Sequence, residues 1–331
     1  MKVHIDDIKY DFVNTIKEYI KENKFNLNIG QNVDINKAIR YFKHYKPIIE
    51  IKDCLILSYL CPFEKELFID YFVDSIKIKA RKKNNISIHD LLYNNDEYLN
   101  IFLEELYNSI DFNKKLFNGK KIEYIDGLFI RDSIYKSKFC KQNCKEISHF
   151  SIGLSKSVYN IYKPLKVLDP CIGWGERLVG ALCSNIREYW GFDPSVELFK
   201  KYTDMYKTIN NITDIYIHNI PFEEQNFIKD DYFDLVFTSP PFFDQEIYNN
   251  DNEQAYIKYD NIESFNSNFI KILLIKSIKS LKSGGFLIIY YPLNFEYVDN
   301  ILLENNMYRH FPIFCSKNKK KINRFLTYRK I

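Results

Sequence analysis

VLDPCIGWGERLVGAL, residues 167–182, decides how the chain folds. An apolar run reaching Asp169 reads as a strand, Gly173 and Gly175 mark a tight turn, and a helical pattern follows from about 175. A strand handed to a helix through a glycine turn opens a βαβ unit, and such units build parallel sheets. Glycines at 173 and 175 let backbone approach a ligand where a side chain would intervene. The first N–H groups of the helix face the same place and favour an anion. Asp169, at the strand end, could accept from a ligand ammonium directly or through water.

Working outward, strand-like runs at 165–169, 188–193, 215–220, 233–239, 285–291, 307–315 and 324–329 alternate with helical patterns at about 175–185, 195–209, 261–282 and 295–305. This predicts an α/β domain over 151–331 with a mainly parallel sheet, whose ligands bind beyond the carboxyl ends of the strands. The loops after Asp169, Asp193, Ile220 and Ser239 are then the ones to read. GFDPS (191–195) puts Asp193 at the second strand's end, where a carboxylate suits a ribose diol. Either Asp-Pro step alone is explained by strand termination and helix capping. Two of them, one followed by a G-x-G turn, favour a nucleoside. Leu178 breaks the G-x-G-x-x-G fingerprint, which disfavours a nicotinamide cofactor. IYIHNIPFEE (215–224) brings Asn219 and Ile220 to the third strand's end.

VFTSPPFFDQEIY, residues 236–248, ends its strand abruptly. Pro240 and Pro241 donate no backbone hydrogen bond, so the ladder stops there and leaves stiffly held carbonyls beside the Ser239 hydroxyl and the Phe242 ring. Phe243 is assigned to packing.

The first half reads differently. Of the twenty glycines and prolines, five precede residue 151. Apolar residues at helical spacing predict helices over about 6–23, 34–45, 63–83 and 96–110, with Asp34 as an N-cap and a capping box at SIHD (87–90). The expected division is a helical accessory or target-recognition domain at 1–110, a connector with hairpin character and a possible substrate contact at 111–150, and the α/β domain at 151–331.

A formal charge of +4 permits a nucleic-acid partner without demanding one. Basic clusters at Lys77–Lys83, at Lys136–Lys145 and at Lys317–Arg324 could follow a phosphate backbone, though in a lysine-biased chain a solvated face explains them equally. Arg131, Lys136 and Lys138 are the preferred contacts. Seven cysteines without a regular framework suit a reducing, intracellular compartment. No run of eighteen apolar residues suggests a membrane span, and the N-terminus lacks a signal-peptide core. Cys140, Cys144 and His149 lack a fourth ligand, so no metal is expected.

D-x-C-x-G-x-G at 169–175 resembles the D-x-F-x-G-x-G element of S-adenosylmethionine-dependent amino-methyltransferases. Ser239-Pro240-Pro241-Phe242 resembles their (Asp/Asn/Ser)-Pro-Pro-(Tyr/Phe/Trp) motif. The resemblance covers roughly 150–331. The longer DPCIGWGERLVGAL, with HFSIGLSKSVYNIY at 149–162, is similar to a phage and large-virus DNA methylase group. It implies a Rossmann-like, seven-stranded methyltransferase sheet with a reversed last strand, which RFLTYRK (324–330) fits. It further implies S-adenosylmethionine held by Asp169, Cys171, Gly173, Gly175, Asp193, Asn219 and Ile220. The Ser239 hydroxyl and the Pro240 carbonyl would take the two amino hydrogens of a flipped DNA base, in the stiff turn that Pro241 completes, and Phe242 would stack on it. The product would be N4-methylcytosine or N6-methyladenine, with a restriction partner conceivable. Cys171 in place of Phe and Ser239 in place of the commoner Asp or Asn depart from the pattern. Carbon-5 methylation is disfavoured because no cysteine follows the strand. RNA-base methylation, glutamine methylation of release factors (whose enzymes carry Asn-Pro-Pro-Tyr) and a degenerate, non-catalytic binding subunit are the alternatives.

Overall fold

The computed structural model describes residues 1–47, 49–52, 55–59, 67–145, 147, 149–317 and 321–331. It divides into two compact units. One comprises Met1–Asn32, Asp74–Ser148 and Gln245–Asn249; the other comprises Val33–Val73, His149–Asp244 and Asn250–Ile331.

The second unit is α/β. Its sheet has ten strands among the described residues, in chain order β1 (Ile49–Lys52), β2 (Leu55–Tyr59), β3 (Lys166–Asp169), β4 (Glu188–Phe192), β5 (Asp214–His218), β6 (Phe233–Thr238), β7 (Leu281–Ile289), β8 (Met307–Arg309), β9 (Ile313–Lys317) and β10 (Lys321–Lys330). The spatial order is β5-β4-β3-β6-β7-β10, with β8 beside β10 and a further run β10-β9-β2-β1. Neighbours from β5 to β7 are parallel, whereas β10 runs antiparallel to β7 and β8. β3 to β8 and β10 therefore make the expected Rossmann-like sheet with a reversed last strand. Central strands of such a sheet are covered on both faces and read as continuous apolar runs. In β6, Leu235, Val236, Phe237 and Thr238 are all buried. Helices Ile152–Tyr162, Glu176–Leu182, Val196–Ile209, Lys271–Ser280 and Phe295–Glu304 accompany the sheet.

The first unit is built on helices Phe12–Lys21, Asp96–Ser109 and Gly127–Lys136, with short strand pairs such as Lys2–His4 with Tyr124–Asp126. One apolar cluster runs through it from Ile5 to Cys144 and takes in Phe12, Phe102, Ile130 and Cys140. Asp34 caps its helix through Lys37 N–H at 2.9 Å, and Ser87 accepts from Asp90 N–H at 2.9 Å, both as the capping signals predict.

Two expectations are corrected. Residues 33–73 belong with the sheet, not with the helical domain, and include β1 and β2. The stretch 111–150 is not a connector: up to Ser148 it belongs to the first unit, where the antiparallel strands Leu116–Phe117 and Lys120–Lys121 give the expected hairpin, helices Gly127–Lys136 and Lys138–Asn143 follow, and Ile125, Ile130, Ile134 and Cys140 lie in that unit's core. The first four residues of the helix expected over 63–83 lie outside the described residues, as do Lys319 and Lys320 of the last basic cluster. The helix itself occupies Leu67–Lys77.

Candidate active site

Parallel pairing sets the chemistry-bearing loops side by side. Asp169 of β3 is level with Gly191 of β4, Phe192 of β4 with His218 of β5, and Val236 of β6 with Leu168 of β3. The segments leaving β3, β4, β5 and β6 thus emerge from one edge of the sheet, in neighbouring positions. Hydrogen bonds tie three of them together. Ile172 N–H donates to the Phe192 carbonyl at 3.0 Å, Asp193 N–H to the His218 carbonyl at 3.2 Å, and the Asn219 side-chain amide to the Asp193 carbonyl at 2.9 Å.

Gly173 and Gly175 both have positive φ, at 65° and 102°, where a Cβ is strained. At Gly173 a Cβ would meet nothing within 4 Å, so the backbone there borders open space. Gly173 N–H donates to Asp193 Oδ2 at 3.1 Å, and Ser195 N–H to Asp193 Oδ1 at 2.9 Å. Asp193 is half-buried, with lone pairs remaining on both oxygens. Burial pushes its carboxyl up to about 6 against the pull of those two N–H donors. These features fit an adenosyl ligand: a glycine bend with room beside it and a carboxylate for a diol. Ile220 and Cys171 are partly buried and pack on the same apolar cluster as Phe242.

Asp169 is placed differently from a ligand acceptor. It is fully buried and forms a two-pronged ion pair with Arg177, Nε to Oδ2 at 2.8 Å and Nη2 to Oδ1 at 3.1 Å. The Tyr189 hydroxyl adds a bond at 2.6 Å, and Cys171 N–H a longer one at 3.3 Å. The same guanidinium reaches the Cys171 and Ile172 carbonyls. Asp169 therefore holds the glycine loop in shape through Arg177. Charge-assisted two-pronged pairs of this kind fix geometry as well as contribute energy.

HFSIGLSKSVYNIY explains itself as the loop's clamp. The Phe150 ring lies 4.9 Å from the Arg177 guanidinium, and the Tyr159 hydroxyl donates to the Arg177 carbonyl at 3.0 Å. His149 Nδ1 is 2.9 Å from Glu176 Oε1, and its Nε2 is 3.4 Å from Asp70 Oδ1. Cys140 and Cys144 instead lie in the first unit's core. No group of three His, Cys, Asp or Glu side chains among the described residues is arranged to hold a metal ion.

β6 stops at Thr238, whose carbonyl accepts from Tyr290 N–H at 3.2 Å. Ser239 Oγ then donates to the Tyr290 carbonyl at 3.4 Å, a long bond that uses the hydroxyl proton and leaves both oxygen lone pairs to accept. Among the described residues no backbone N–H takes the Pro240 carbonyl. Phe242 is half-buried and edge-on to Tyr290, with ring centres 5.8 Å apart. Phe243 has φ 49° and its ring lies 5.4 Å from Phe265, which agrees with a packing role.

Arg131 is contradicted as a phosphate contact. It is wholly buried and bonds Asp74 at 3.1 Å and the Tyr135 hydroxyl at 3.1 Å. Gly127, Ile130, Arg131 and Ile134 share the inward face of one helix by 3.6-residue periodicity, which composition alone does not reveal. Lys77 is buried too. Lys136 and Lys138 are exposed, Lys136 pairing with Asp132 on its own helix.

No family model and no curated protein matches the chain. Solved structures similar to it include TrmN from Thermus thermophilus, at 11% identity over 55% of this chain and 49% of that one, with a TM-score of 0.43. The tRNA (m1A58) methyltransferase TrmI from Aquifex aeolicus matches at 16% identity over 56% and 71%, with a TM-score of 0.36. A SAM-dependent O-methyltransferase from Thermotoga maritima matches at 11% over 56% and 67%, with a TM-score of 0.39. The chain spans about half the length of TrmN. Likeness at this level says nothing about substrate. Among the described residues no helix is long and apolar enough to cross a membrane.

Proposed function

We propose that the protein is an S-adenosylmethionine-dependent methyltransferase acting on the exocyclic amino group of a nucleic-acid base, with DNA cytosine N4 or adenine N6 as the target. The observation that carries the reading is the Ser239 hydroxyl, turned toward the Tyr290 carbonyl at 3.4 Å, beside a Pro240 carbonyl that no backbone N–H among the described residues takes, one strand from the glycine loop. The bound cofactor would supply a methyl group on a sulfonium, which needs no covalent catalyst and no metal.

The residues do the rest by alignment and hydrogen bonding. An aromatic amine is a poor nucleophile because its lone pair is delocalised into the ring. Two fixed acceptors, Ser239 Oγ and the Pro240 carbonyl, draw its N–H bonds out of the ring plane and stabilise positive charge as it grows on nitrogen. Two consecutive prolines keep those acceptors in place without reorganisation. Phe242 offers a half-buried face on which a base taken out of its stack can rest. Asp193 accepts from ribose hydroxyls, Asn219 and Ile220 border the adenine, and Cys171 adjoins the methionine portion. Lys136 and Lys138 are the exposed cations for phosphates.

Mass spectrometry of nucleosides from DNA and RNA incubated with protein and cofactor tests the reading. N4-methylcytosine or N6-methyladenine in the DNA is the expected product. The same nucleosides in RNA would keep the chemistry and change the polymer. Methyl transfer to neither polymer would overturn it.

A further inference from the structure

ITDIYIHNI, residues 212–220, carries an open edge of the sheet and has the same chemical order from either end. Ile212 mirrors Ile220, Thr213 mirrors Asn219, Asp214 mirrors His218 and Ile215 mirrors Ile217, with Tyr216 at the centre. β5 occupies the middle of this stretch and ends the strand order. β4 lies on one side of it and, among the described residues, no strand lies on the other.

The bonds to β4 settle which main-chain groups face outward. Asp214 N–H donates to the Arg187 carbonyl, and the His218 carbonyl accepts from Asp193 N–H, so both ends of β5 turn inward. Main-chain direction alternates along a strand, so Tyr216 also faces β4, whereas Ile215 and Ile217 point their N–H and C=O groups out of the sheet. Natural edges are commonly blunted by lysine, proline or a bulge. β5, Asp-Ile-Tyr-Ile-His in unbroken register with β4, has none of these. Its surroundings are apolar instead: Ile212 is 95% exposed, Phe227 50% and Tyr216 41%. Tyr216 stacks on Trp190 with ring centres 4.6 Å apart, and Phe227 lies 4.9 Å from the His218 ring.

We propose that this edge docks a second copy of the chain, β5 pairing antiparallel with β5 about a twofold axis at Tyr216. In that register each Ile215 exchanges its outward N–H and C=O with those of Ile217 in the other copy. The two Tyr216 side chains fall directly opposite on one face and extend the Trp190 stack across the axis. Asp214 falls opposite His218 of the other copy, a carboxylate against an imidazole whose ring N–H can donate to it. An axis at Ile215 or Ile217 would set Asp214 against Tyr216 or Ile220 instead, neither of which is a base.

A nucleic-acid strand suits the edge less well, because its charges are mixed. Lys229 lies over the Trp190 and Tyr232 rings at 5.7 and 4.4 Å, but the Lys279–Asp230 and Lys330–Asp231 pairs adjoin it and Asp214 stands exposed. Phosphates call for a basic track. A twofold pair also closes on itself, so it covers the edge without growing a fibre. The joined sheets run in opposite directions, which opens the two crevices on opposite edges. Each crevice keeps its own residues, and the pairing stands apart from the methyl-transfer reading.

Sedimentation of the full chain over a concentration series reaching about 100 μM tests the proposal, since a small interface gives a weak, concentration-dependent pair. Wild type should pass from monomer to dimer. Ile217→Pro removes an outward N–H, breaks no bond to β4, and should leave a monomer. Tyr216→Lys and Tyr216→Glu each set like charges face to face at the axis and should also be monomeric, whereas their equal mixture should restore the dimer. Should Ile217→Pro fail to fold, the Tyr216 variants decide. Wild type monomeric throughout overturns the proposal. Quenching of its tryptophan fluorescence by oligo-dT, absent in Trp190→Phe, would then give the face to a single strand. A dimer that the folded variants leave intact, or charge variants that stay monomeric when mixed, overturns it as well.

Discussion

Asp169-Pro170 and Asp193-Pro194 end neighbouring parallel strands with the same dipeptide, yet their carboxylates have opposite fates. Asp169 is fully buried, with both oxygens engaged by Arg177 and one also by Tyr189. Asp193 is half-buried and held by two backbone N–H groups, with the Tyr202 hydroxyl beside it. What separates them is not the local motif but the partner: a guanidinium eight residues further on serves one carboxylate, and among the described residues no side-chain cation pairs with the other. A strand-end acid can thus anchor a ligand loop or face the ligand, and the neighbouring cation decides which.

The largest expected effect breaks the anchor. Asp169→Ala leaves the Arg177 guanidinium buried without a countercharge and should cost about 3–5 kcal/mol, read from the denaturant midpoint. Replacing both partners with apolar residues, Asp169→Leu with Arg177→Met, should recover most of that loss. An Asp169→Ala protein as stable as wild type would show that the pair does not hold the loop.

A smaller effect sharpens the other half of the comparison. The Asp193 carboxyl, at about 6 in the folded protein, lies above its ordinary value of 3.8. The folded state therefore holds this proton more tightly than the unfolded chain. The stability this carboxyl contributes is present below about pH 4 and fades as the pH rises toward 6. Ligand binding runs the other way, because only the ionised form accepts from both ribose hydroxyls. Affinity for S-adenosylhomocysteine should rise from pH 5 to pH 7, and Asp193→Asn should flatten that rise. A pH-independent wild type would remove Asp193 from the ribose.

Much of the α/β unit was legible in the sequence because strand–helix alternation and strand-ending prolines are local signals. β3 to β7 lie close to the runs that predicted them, and RFLTYRK lies within the reversed β10. The 307–315 run splits into β8 and β9. The misses share a physical cause, since each depends on contacts distant in the chain. Scarcity of glycine and proline suggested a helical domain over 1–110, yet the runs IEIK and LILSY, which none of the expected helices covers, became β1 and β2, with β2 adding to the sheet beside β9. Arg131 looked like a surface cation until helix periodicity set it against Asp74. Arg177 escaped notice inside a motif read for its glycines. Eight residues from an acid to an arginine across a tight turn was the available signal for Arg177.

The central claim is that fixed acceptors after β6 activate an amine beside a separately held methyl donor. Measuring single-turnover methyl transfer and S-adenosylhomocysteine affinity together for Ser239→Ala tests it most directly. Transfer should slow about ten- to a hundredfold while the dissociation constant stays within about twofold of wild type. Transfer at the wild-type rate, or an equal loss of cofactor affinity, would contradict it.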